Sequence, residues 1–96
     1  MAARASLAAL GKEDVILCGG YNVYPREVEL VIESHPDISM AVVVPIADPV
    51  YQEVGYAFVL PHPGRELNAD TISAHCRGRL ANYKVPKRFE VCTSFP

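Results

Sequence analysis

The chain has 96 residues, enough for one small domain. Half of them are hydrophobic and 21% are charged, which is globular composition and excludes intrinsic disorder. The formal net charge of −2 argues against a general affinity for nucleic acid or an anionic membrane surface.

The first ten residues, MAARASLAAL, carry one Arg and no acid. They lack a clear cleavage pattern and are expected to be a frayed or appended tail, apart from a domain over residues 11–96. Asp14 to Cys18 predicts a strand, since Val15, Ile16 and Leu17 are apolar and mostly β-favouring. Gly19-Gly20 then bends the chain, and Tyr21 to Tyr24 continues extended, so the two pieces are expected to pair as a hairpin. Pro25 suits a first helical position, where its missing N–H would be unpaired anyway. The helix runs to about Ser34, with Val28, Val31 and Ile32 on one face and Glu29 and Glu33 off it. His35-Pro36 ends it.

Ile38 to Ile46 is apolar on both faces, which predicts a central strand buried on both sides. Ala47-Asp48-Pro49 is a turn, and Gly55 to Leu60 a second strand. Asn68 is a fitting N-cap for the next helix, with Leu67 and Ile72 placed as a hydrophobic staple. Ile72, Cys76 and Leu80 form that helix's buried stripe. Gly78 inside it would cost about 1 kcal/mol relative to Ala unless a close neighbour requires it. Tyr83 to Pro86 connects to a short last strand, Phe89 to Cys92. The order ββ-α-β-β-α-β predicts an α+β sandwich: a three-stranded central sheet, an N-terminal hairpin and two main helices.

The chemistry-bearing residues admit plain readings first. Gly19-Gly20 alone is a hairpin turn. Cys18, Cys76 and Cys92 are odd in number and widely spaced, which is no disulfide framework and suits a reducing cytoplasm or organelle matrix. Cys18 reads as a small filler of a strand rather than a reactive thiol. His35, His62, His75 and Cys76 do not have metal-ligand spacing, and His75 reads as a helix-surface residue. Tyr51 and Tyr83 fit either half-buried packing or ligand stacking. Lys84, Lys87 and Arg88 fit either a solvated edge or a phosphate contact. No catalytic set is assignable.

Four segments in register carry a resemblance. They are GGYNVYPREVE from Gly19, HPDISMAVVVPIADPVYQEVGYAFV from His35, the helical run DTISAHCRGRLANYK from Asp70, and YKVPKRFEV from Tyr83. Together they resemble the C-terminal domain of the adenylate-forming acyl-CoA synthetase and ligase superfamily. The resemblance implies a mobile lid that swings between adenylate formation and thioester formation on a large N-terminal adenylation domain. It implies ATP with Mg²⁺, and CoA, as ligands of the full enzyme, and no tight binding by this chain alone. It places Gly19 and Gly20, with Tyr21 and Asn22 at the tip, in the loop that flanks the CoA channel. It places Tyr51 and Tyr83 as aromatics beside the CoA adenine, with Lys84, Lys87 or Arg88 toward its phosphates.

The family's adenylation lysine lies in a Gly-Lys segment downstream of the position of Phe95-Pro96, so no residue here takes that role. The chain is expected to be a truncated lid, inactive alone. Gly11-Lys12-Glu13-Asp14 resembles the family's hinge link only in part, one residue short. Two other readings stand beside this one: an independent docking or CoA-binding module, and the lid of an aminoacyl-adenylating enzyme that loads a carrier protein. An exposed docking face is expected to permit self-association.

Overall fold

A computed structural model describes residues 15–93. The tail at residues 1–10, the hinge-like segment at 11–14 and Phe95-Pro96 lie outside the described residues.

The chain opens with a hairpin of β1 (Ile16–Cys18) and β2 (Tyr21–Val23), closed by a two-residue turn. Gly19 has φ +59° and Gly20 φ +89°. Positive φ at both central residues suits the twist of a tight hairpin, and only glycine adopts it without strain. Helix α1 (Pro25–Glu33) follows, with Pro25 in its first turn. Val28 and Ile32 are fully buried, whereas Leu30 is exposed.

β3 (Ile38–Asp48) and β4 (Gln52–Pro61) form the long antiparallel hairpin at the centre of the fold. Asp48 Oδ2 accepts from the N–H groups of Val50 and Tyr51, each at 2.9 Å, and shapes the turn between them. Helix α2 (Ala69–Arg77) begins as predicted: Asn68 Oδ1 accepts from the Thr71 N–H at 2.9 Å. A 3₁₀ turn (Asn82–Lys84) leads into β5 (Arg88–Val91), which lies parallel to β4. A parallel neighbour needs a crossover connection, and α2 is that crossover.

The strands make one mixed sheet in the order β2-β1-β4-β3, with β5 along the same side of β4 as β1. The expected three-stranded body is β3, β4 and β5, and the N-terminal hairpin joins it through the pairing of Cys18 with Gln52. Both helices pack on one face, where Ala41, Val43, Ala57 and Val59 meet a core that includes Val28, Ile32, Ile72 and Cys76. No helix among the described residues is long and apolar enough to cross a membrane.

Several local expectations are corrected. The central strand is β4, not the one beginning at Ile38. Among the described residues β3 lies at the sheet's edge, and its second face (Met40, Val42, Val44) is only half-buried because neither described helix covers it. Glu29 is not off the buried face. It is buried, and its Oε2 accepts from the Val43 N–H at 2.9 Å. The second helix stops at Arg77, well short of Lys84, and Gly78 is its C-cap at φ −78° rather than an interior residue. No tight neighbour demands that glycine, since the nearest atoms to an added Cβ are helix carbonyl oxygens at 4.0 Å. His75 is half-buried, with Nε2 2.9 Å from Ser34 Oγ and 3.0 Å from the Val31 carbonyl oxygen, so it ties α2 to the end of α1.

Candidate functional site

The Gly19-Gly20 bend is exposed and projects from the end of the sheet where the β3–β4 turn also emerges. Two contacts fix it there. The Gly19 N–H donates to the Tyr51 carbonyl oxygen at 2.8 Å, and the Leu17 N–H donates to Glu53 Oε1 at 3.0 Å. A Cβ on Gly19 would lie 3.4 Å from Tyr51 Cδ1, so the glycine also lets the tyrosine ring lie close. Across the Tyr51 ring sits Lys87, its Nζ 5.3 Å from the centroid, in the range of a cation–π contact.

Tyr21 continues this surface from the other end of the bend. Its ring stacks on Tyr83, with centroids 4.5 Å apart and planes 28° from parallel. Tyr21 is 59% exposed and Tyr51 is 43% exposed, so both rings present area to solvent. Lys84 is more committed. Its Nζ donates to Glu27 Oε2 at 3.0 Å, and that bond holds the ammonium above the usual lysine range. Asn22 is exposed on β2, opposite Leu17 of β1.

Eight of the nine residues that the resemblance singled out therefore fall on, or beside, one connected surface, and the ninth, Arg88, is exposed at the start of β5. It runs from Lys87 and Tyr51, across Gly19 and Gly20, to Tyr21, Tyr83 and Lys84, with Asn22 on the adjoining strand. The two tyrosines named for an adenine are not equivalent: Tyr83 is half-buried and already stacked, while Tyr51 has an exposed ring with a cation over it. An open groove of about 310 Å³ adjoins this surface between α2 and β5, lined by Asp70, Ser73, Arg77, Asn82, Lys87 and Phe89. Lys87 reaches both. Stacking faces with nearby cations suit a planar ligand bearing phosphates.

Nothing in this surface forms a general acid–base or nucleophilic set. Among the described residues, no group of three His, Cys, Asp or Glu side chains comes together to hold a metal ion. Cys18 lies in the core, and burial pushes the Cys76 thiol up to about 11, so it stays protonated near neutrality. Reading the sequence did not reveal Glu27 as the partner of Lys84 or Glu53 as the anchor of β1. Those pairs are 57 and 36 residues apart, and no local pattern marks them.

The AMP-binding enzyme C-terminal domain family model matches residues 27–96. The chain is 40% identical over 84 residues to feruloyl-CoA synthase from an Amycolatopsis species, covering 88% of this chain and 17% of that protein. It is 42% identical over 85 residues to 2-succinylbenzoate–CoA ligase from Geobacillus kaustophilus, again covering 88% and 17%. Among solved structures, the amide bond synthetase McbA from Marinactinospora thermotolerans superposes with a TM-score of 0.82 at 37% identity, covering 86% of this chain and 17% of that one. The chain thus spans about one sixth of the length of the relatives it matches.

Proposed function

Because the chain belongs to the AMP-binding enzyme C-terminal domain family, we propose that it is the mobile lid of an ATP-dependent acid–CoA ligase. The observation that carries this reading is the exposed two-glycine bend, tied to Tyr51 and flanked by Lys87. A backbone without side chains can approach a narrow channel closely. The rings and cations beside it suit the nucleotide end of CoA. In this proposal a larger domain binds ATP, Mg²⁺ and the carboxylic acid and holds the acyl-adenylate. Closing the lid brings the bend against that domain, excludes water and aligns the CoA thiol. The sulfur attacks the acyl carbon, the bond to the AMP oxygen breaks, AMP leaves with the electron pair, and the thiol proton passes to solvent. This chain's residues orient and shield, and they perform no proton transfer that the geometry identifies.

The test replaces the corresponding segment of a homologous CoA ligase with this chain and supplies preformed acyl-adenylate and CoA. Thioester formation is expected. Lys87→Glu should weaken the dependence on CoA by about tenfold, the scale of one charge-assisted hydrogen bond. Unchanged CoA dependence in that variant, or AMP-forming turnover by the 96-residue chain alone, contradicts the proposal. A second reading is favoured by the likeness to the amide bond synthetase. In it the same closure admits an amide-forming acceptor, and the chimera would then consume acyl-adenylate with an amine but not with CoA.

A further inference from the structure

β3 has eleven residues and, among the described residues, a strand neighbour on one side only. An open edge of that length is a template for strand addition by another chain. Which of its backbone groups face outward follows from β4. The carbonyls of Gly55 and Val59 accept from the N–H groups of Lys87 and Cys92, so odd-numbered residues of β4 point toward β5. The register pairs odd residues of β3 with odd residues of β4. In an antiparallel pair the N–H and C=O of one residue point the same way. Ala41, Val43, Pro45 and Ala47 therefore present their backbone groups to the open side.

At the first three of these positions the donor side is closed. The Ala41 N–H donates to Glu33 Oε2 at 3.0 Å. The Val43 N–H donates to Glu29 Oε2 at 2.9 Å. Pro45 has no N–H to offer. Arg26 Nη1 lies 3.3 Å from Glu29 Oε1 and 3.7 Å from Glu33 Oε1, so it engages the other oxygen of each carboxylate. Glu29 and Glu33 are one turn apart on α1, on the side that packs against β3.

We infer that α1 guards the β3 edge: Glu29 and Glu33 occupy the donors at Ala41 and Val43, and with Pro45 they keep a second copy of the chain from pairing edge to edge through β3. A carboxylate accepts far better than the carbonyl of an incoming strand, so an invader must displace a charge-assisted bond at two successive outward positions.

The full 96-residue chain tests this. In the wild type, amide exchange at Ala41 and Val43 should be about tenfold slower than at Ala47, the ratio one charge-assisted hydrogen bond supplies. Equal rates at the three positions overturn the guard without any variant. Light scattering then compares Glu33→Ala and the double variant Glu29→Ala/Glu33→Ala with wild type. Both should self-associate about tenfold more strongly, and the Ala47 amide should gain protection as they do. Glu29→Gln/Glu33→Gln should fall between wild type and the double alanine variant, since the amide oxygen still accepts but the bond is no longer charge-assisted. Should the double alanine variant fail to fold, Glu33, less buried than Glu29, provides the single variant that decides. Folded alanine variants that associate no more than wild type, or that associate with Ala47 unprotected, refute the inference.

Discussion

Gly20 and Gly78 are the same residue in different backbones, and they should respond oppositely to one methyl group. Gly78 sits at φ −78°, a conformation any residue adopts, with nothing nearer than 4.0 Å to an added Cβ. Gly78→Ala should stabilise the chain by about 0.4–1 kcal/mol, through the unfolded state rather than a new contact. Gly20 has open space but sits at φ +89°. Gly20→Ala should destabilise by about 1–2 kcal/mol, the cost of a left-handed L-residue. Urea melts of the two variants check both signs, and a stabilising Gly20→Ala would contradict the turn geometry. The sequence marked Gly19-Gly20 as a special bend because the pair stands between two apolar runs. It did not mark Gly78 as a cap, because the helical pattern of Ile72, Cys76 and Leu80 continues past the point where the helix ends. Leu80 still packs on the core, but from the loop after α2.

At the scale of elements, the two helices meet through His75. Burial is the main influence on its imidazole and pulls its pKa below the ordinary 6.5, more than the Val31 carbonyl raises it. The unfolded chain then binds the proton more readily than the folded one. Stability from this group is therefore present above about pH 6.5 and is lost as the pH falls through the lower folded value. Denaturation between pH 7.5 and 5 should show wild type losing stability faster than His75→Gln, and parallel profiles would rule the coupling out.

Strand placement shows a similar limit of local reading. The run from Ile38 to Ile46 is apolar on both faces, yet β3 is an edge. Pro45 was the available signal, because a proline cannot donate to a ladder on both sides and belongs at an edge. The apolar outer face misled because it is half-buried without either described helix over it, whereas β4 takes neighbours on both sides.

At the scale of the whole molecule, one core joins both helices to one sheet. Ile32 of α1 and Ile72 of α2 are both fully buried within it. Ile32→Ala and Ile72→Ala should each cost about 2–5 kcal/mol. Each should move a single cooperative transition, as calorimetry would show, and a variant that melts its own helix separately would argue for two units. The sequence by itself determined the order of elements, the glycine bend, the capping of α2 and the α+β class. Each of these depends on residues a few positions apart, acting through backbone dihedrals, apolar period and cap chemistry. Only the tertiary structure decided that β4 is central, that Glu29 and Glu33 close the β3 edge, and that Lys84 is held by Glu27 while Lys87 stands over Tyr51. Those outcomes join groups distant along the chain, whose meeting depends on how the strands order themselves around a shared core.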